Sequence, residues 1–126
     1  MKAIKSVSKL EDRVSQALWR KGIRIRRNVR SLFGNPDFAM KKYKIVIFID
    51  SCFWHACKVH GNRPKTNTDF WNNKLDRNIK RDNEVNKFYY DNNWRILRVW
   101  EHELKEDFNG TVNKIYKFIE DSKRDF

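Results

Sequence analysis

The chain has 126 residues, with 28 Lys and Arg against 16 Asp and Glu, a formal net charge of +12 before any histidine is counted. With 40% apolar residues, five Trp, nine Phe and four Tyr, it can bury a core of its own and does not have the composition of a disordered basic tail. The longest apolar run, Ile45 to Ile49, is far too short to cross a membrane, and no apolar signal segment follows Met1. The expectation is therefore one cytoplasmic domain over residues 1–126 whose excess positive charge meets nucleic acid.

Ser8 and Glu11 have capping-box spacing, and Leu10, Val14, Ala17 and Leu18 recur at helical intervals, predicting a helix from Ser8 to Gly22. Ile23 to Arg26 alternates with period two and reads as a strand entering the turn chemistry of Gly34-Asn35-Pro36. Asp37 to Met40 and Lys44 to Asp50 read as two strands joined by Lys41-Lys42-Tyr43, the second nearly all apolar and therefore central. Cys52 to Thr68 lacks periodicity and reads as a loop. Asn67 or Thr68 then caps a helix running, with a break, to Tyr90, followed by a strand from Trp94 to Trp100 and a last helix starting near Asn109. That order predicts an α/β domain with its sheet covered by helices.

Two Cys and three His make up the chain's complement, and four of these five residues fall between positions 52 and 60. Cys52, Cys57 and His60 offer three soft or borderline ligands from one loop, and His102, just after a strand predicted to be central, would close a tetrahedral Cys2His2 zinc site. His55 competes with His60 as the third ligand, and His60 is preferred, which leaves His55 for chemistry. A pair of buried thiols accounts for the Cys but not for the His around them, and a disulfide conflicts with a cytoplasmic chain.

Asp37 and Asp50 stand at opposite ends of two strands. Adjacent pairing would bring one carboxylate and the Ile49 main-chain carbonyl to the same magnesium ion, the hard-oxygen environment that phosphodiester hydrolysis uses. Asp82 follows Leu75 and Ile79 at helical spacing and so faces inward, where it needs a partner: a histidine such as His55, or a salt bridge of equal weight. Phe53, Trp54 and Trp71 lie among cations including Arg63 and Lys65, as in proteins that push rings between bases while cations hold phosphates. Phe70 reads as core.

Asn35-Pro36-Asp37-Phe38, the run from Phe48 to Cys57, Arg63 to Trp71, Lys80-Arg81-Asp82 and Trp94 to His102 resemble the very-short-patch-repair DNA mismatch endonucleases over roughly Met1 to Leu104. The resemblance implies a restriction-endonuclease-like fold with a zinc-stapled loop. It also implies an enzyme that nicks double-stranded DNA 5′ of the thymine in a T:G mismatch, using magnesium for catalysis and a structural zinc. Asp37 would be a direct magnesium ligand beside the Ile49 carbonyl, His55 the catalytic histidine, Asp82 the acid that hydrogen-bonds it, and Glu11 an acid near the metal. Cys52, Cys57, His60 and His102 would hold zinc. Phe53, Trp54 and Trp71 would wedge into the DNA.

Two departures stand out. The best-known member has a second histidine where this chain has Asp50, which makes Asp50 a candidate additional magnesium ligand. This chain also begins at Met1, where many members carry a further N-terminal segment that embraces the DNA. The alternatives are a related nickase with a non-mismatch target and a non-catalytic zinc-stapled DNA-binding module, either acting as a monomer. Charge placement agrees with a duplex partner: residues 1–30 hold ten Lys and Arg against Glu11 and Asp12, whereas residues 83–126 hold eight against nine acids.

Overall fold

The computed structural model describes residues 2–50 and 68–125. Helix α1 (Lys2–Arg20) buries Leu10, Val14 and Leu18, four residues apart on one face. It stops in a Schellman motif: the Ile23 amide donates to the Leu18 carbonyl at 2.9 Å, the Gly22 amide to the Trp19 carbonyl at 2.9 Å, and Gly22 takes the left-handed φ of 86° that the motif requires. The expected start at Ser8 is corrected. The helix already runs from Lys2, so positions 8 and 11 fall inside it rather than at its start.

The sheet has the order β1-β2-β3-β4, from β1 (Arg26–Arg27), β2 (Phe38–Met40), β3 (Ile45–Asp50) and β4 (Arg95–Trp100). β2 is antiparallel to β1 and β3, whereas β4 is parallel to β3. The strand expected at Ile23–Arg26 is reduced to two residues shifted toward Arg27. Between β2 and β3 the chain makes one turn of 3-10 helix (Lys41–Tyr43) and reverses at Lys44, φ 54°. β3 is buried along its whole length, as its apolar run predicts. The strand before His102, expected to be central, is the last of the order among the described residues: the β3-α2-β4 crossover sets it on the side of β3 away from β2.

Helix α2 (Thr68–Asp91) is continuous, without the expected break, and buries Leu75, Val85 and Tyr89. It ends in a second Schellman motif, with Asn93 at φ 63°, the Trp94 amide donating to the Tyr89 carbonyl at 2.8 Å and the Asn93 amide to the Tyr90 carbonyl at 3.2 Å. A short helix α3 (Glu101–Glu106), absent from the sequence reading, precedes α4 (Phe108–Asp125). α4 begins one residue before the expected Asn109 because the Asp107 carboxylate accepts from the Gly110 amide at 3.1 Å.

Strand alternation sorts the core into two layers. Ile45, Ile47 and Ile49 pack with Leu10, Val14 and Leu18 of α1, Leu104 of α3 and Ile115 and Ile119 of α4. Val46 and Phe48 face the other way and pack with Val85 and Tyr89 of α2. The expected α/β architecture, a mixed sheet between helices, is thus the observed one. Asp50 follows Val46 and Phe48 at period two, which turns its side chain toward the α2 face.

Candidate active site

Six elements bring charged side chains to the C-terminal end of β3. The chain enters β2 through the buried Pro36, so Asp37 lies beside the last residues of the antiparallel neighbour β3. Its carboxylate accepts from the Ile49 amide at 2.6 Å. α1 supplies Glu11, only 4% exposed, whose carboxyl shares a hydrogen bond with that of Asp37. Burial, the hydrogen bond to Glu11 and the negative charges of Glu11 and Asp50 push the Asp37 carboxyl up to about 8, against the opposing pull of the Ile49 amide. The Asp37 carboxyl is therefore held toward its protonated form at neutral pH. Arg27 of β1 contacts Glu11 at 3.7 Å and Asp12 at 2.6 Å.

Asp50, 6% exposed, is held by Arg98 of β4 at 2.8 Å. The Arg98 guanidinium also donates from Nε to the Asn86 side chain at 2.7 Å, lies 3.7 Å from Asp82, and covers the Phe48 ring at 4.3 Å. Sequence spacing turned Asp82 inward correctly. Among the described residues Arg98 lies 3.7 Å from it, and His55, the histidine weighed as its partner, lies outside them.

The other candidates divide as follows. His55, Cys52, Cys57, His60, Phe53, Trp54, Arg63 and Lys65 lie outside the described residues. His102 stands in the first turn of α3, its ring stacked at 14° on Trp100 with centroids 6.3 Å apart. Trp71 lies near the start of α2 edge-on to Phe70, with the Lys74 ammonium 5.6 Å from its ring. Phe70 is 60% exposed, which corrects its reading as core; the inward face of α2 is carried by Leu75, Val85 and Tyr89.

Among the described residues no three His, Cys, Asp or Glu side chains are arranged to hold a metal ion together. The Glu11–Asp37 pair nevertheless has the chemistry magnesium selects. That ion is usually bound through one or two carboxylates, keeping waters and substrate phosphates as its remaining ligands. Desolvation and the neighbouring acids that raise the Asp37 carboxyl are also what a divalent cation would offset.

The chain matches the family model for the DNA mismatch endonuclease Vsr over residues 1–60, the stretch that carries Glu11, Asp37, Ile49 and Asp50. It is 41% identical over 113 residues to the type II nicking enzyme V.NaeI of Lentzea aerocolonigenes, covering 86% of this chain and 68% of that protein. It is also 43% identical over 106 residues to the type II nicking enzyme V.HpaIIP of Haemophilus parainfluenzae, covering 80% and 75%. The chain belongs to the Vsr family. The DNA mismatch endonuclease Vsr of Escherichia coli is 36% identical over 97 residues, covering 76% of this chain and 62% of that protein. Vsr-family membership puts the buried acids in a family of DNA endonucleases, and no described helix is long and apolar enough to cross a membrane.

Arg98, Arg27 and Asn86 are the site residues the sequence reading missed. Arg98 carried one usable signal: a charged residue between Leu97 and Val99 in a strand must find a partner across the packed face.

Proposed function

We propose that the protein is a strand-nicking DNA endonuclease that cuts duplex DNA 5′ of the thymine in a T:G mismatch by metal-assisted phosphodiester hydrolysis. The observation that carries this reading is the pairing of the buried Glu11 carboxyl with the half-buried Asp37 carboxyl at the end of β3, where Asp37 accepts from the Ile49 amide. A module that only bound DNA would have no use for buried acids, which repel the phosphates.

In this reading Asp37 and the Ile49 main-chain carbonyl hold magnesium, with Glu11 and Asp50 beside them. When bound, the ion polarises a phosphate oxygen and lowers the pKa of a coordinated water. Asp37 must give up its proton to serve as a ligand, and Arg27 steadies the Glu11 charge that remains. Arg98 holds Asp50 and neutralises it, so the phosphate meets less negative charge. His55 takes the proton from the attacking water, and Asp82 sets its tautomer. Cys52, Cys57, His60 and His102 hold the structural zinc, a donor set of thiolates and imidazoles that suits a borderline ion. Phe53, Trp54 and Trp71 enter the duplex at the mismatch. The fold in this reading is of the restriction-endonuclease-like, PD-(D/E)xK type.

A second reading, a nickase with a non-mismatch target, is favoured by the relatives that are type II nicking enzymes. Incubating end-labelled duplexes, identical except for T:G or C:G at one position, with magnesium separates the two. Nicking confined to the T-containing strand of the T:G duplex is expected, and equal nicking of both duplexes would exclude mismatch specificity.

A further inference from the structure

The loop that leads from β1 to Asp37 is fastened to α2. At Gly34, φ 77°, the backbone comes so close that an added Cβ would lie 2.9 Å from both γ-carbons of Val85. The buried Tyr89 hydroxyl donates to the Phe33 carbonyl, and the Phe33 ring tilts against Phe88 with centroids 4.8 Å apart. These anchors hold Phe33 at the surface, 46% exposed. Beside it, Arg77, Lys80 and Arg81 of α2 line a groove of about 360 Å³ together with Glu84.

The groove gathers three exposed cations against one acid, Glu84, in its lining. Arg95, Lys105, Lys114, Lys123 and Arg124, on β4, α3 and α4, each sit beside an acid. Among the described residues, Arg77, Lys80 and Arg81 make no ion pair, although all three are exposed. Uncompensated cations beside a fixed aromatic ring suit a nucleic-acid strand: the cations take phosphates and the ring packs on a sugar or base. Arg77 and Arg81 stand one turn apart, about 6 Å along the helix axis, on the order of one nucleotide step.

The groove also shares its two elements with the acids. Asp37 lies four residues beyond Phe33, and Asp82 follows Arg81 with its carboxylate 3.7 Å from Arg98. We propose that this groove seats the backbone of the strand to be cut, next to the scissile phosphate. Arg77, Lys80 and Arg81 hold the neighbouring phosphates, and Phe33 packs on the sugar or base between them. This assignment rests on the endonuclease reading and adds to it the residues that deliver the strand.

Fluorescence anisotropy of a labelled duplex, measured without divalent metal across a range of salt, tests the proposal. Each lost phosphate contact lowers the slope of log K against log salt by about 0.9, so Arg77→Gln/Lys80→Gln/Arg81→Gln is expected to flatten it by about 2 to 3. Phe33→Ala is expected to weaken binding at every salt concentration without altering the slope, with thermal melting verifying that it is folded. Lys114→Gln/Lys123→Gln, which removes two paired cations, should keep the wild-type slope. A triple variant with the wild-type slope, from a wild type that binds and nicks duplex, overturns the groove alone. A wild type that binds no duplex overturns the endonuclease reading and the groove with it. Loss of binding to polyglutamate with duplex binding retained would make the groove a site for acidic protein segments and overturn the proposal.

Discussion

Arg98 touches two acids, an amide and a ring at once: Asp50 at 2.8 Å, Asp82 at 3.7 Å, Asn86 at 2.7 Å and the face of Phe48 at 4.3 Å. Its side chain is 18% exposed and that of Asp50 only 8%, so solvent does little to replace the contact. Breaking one partner out of such a buried pair costs about 3–5 kcal/mol because a charge is left uncompensated. Arg98→Met is expected to lose stability of that order in urea unfolding, and Arg98→Met/Asp50→Asn to recover part of it, since the more buried of the two charges Arg98 holds is then gone. Additive losses in the double variant would show that the pair does not act as a unit.

Asp37 makes a different prediction at the same scale. Its folded pKa lies at about 8, above the unfolded value of 3.8. The folded state thus holds the proton more tightly than the unfolded chain. The sign follows: the contribution of this group to stability is complete below about pH 4 and is lost progressively as pH rises to about 8. Metal-free Asp37→Asn, which cannot ionise, is expected to melt above wild type at pH 8 and to lack that part of the pH dependence. A thermal-melting series in which wild type and variant differ by a constant across pH 5–8 would contradict the assignment.

At the scale of elements, two glycines separate backbone conformation from close packing. Gly22 and Gly34 both have left-handed φ, but a Cβ at Gly22 meets nothing within 4 Å, whereas one at Gly34 meets Val85 at 2.9 Å. Gly22→Ala should therefore cost only the left-handed penalty, about 1 kcal/mol. Gly34→Ala adds displacement of the Phe33 loop from α2 and should cost more, of the order of 2–3 kcal/mol, read by urea unfolding. Equal losses would mean that the loop is not seated on α2 as described.

Periodicity made α1, α2, β3, β4 and α4 legible, because each presents apolar residues at a regular interval to one of the two core layers. What it could not convey had physical reasons. Ser8 and Glu11 have the spacing of a cap, and a local motif hides the fact that the helix begins earlier and spends Glu11 on Asp37. β1, with two residues, and α3, with six, are too short to show a period. The Arg98–Asp50 pair spans 48 positions, and no local pattern reports a partner so far away.

For the whole molecule, the acids of the site and the cations of the groove share α2. α1, β1, β2, β3, α2 and β4 contribute to the site, and among the described residues Arg77, Lys80 and Arg81 of α2 make no ion pair, whereas Lys114, Lys123 and Arg124 of α4 each sit beside an acid. The proposed zinc would join His102 of α3 to the three ligands at Cys52, Cys57 and His60. The protein is expected to keep about one zinc per chain through gel filtration, and His102→Ala to lose it along with thermal stability, as read by metal analysis and melting. A metal-free wild type with unchanged melting would remove the zinc from the account.

In the proposed mechanism the Glu11–Asp37 pair is the catalytic metal site. Single-turnover nicking of a T:G duplex by Asp37→Asn, with magnesium and saturating enzyme, tests it most directly, because the substitution keeps shape and removes the charge that would hold the ion. A loss of at least about a thousandfold in rate is expected, of the order of 4 kcal/mol in the barrier, with duplex binding retained. Nicking within a few-fold of wild type would contradict it.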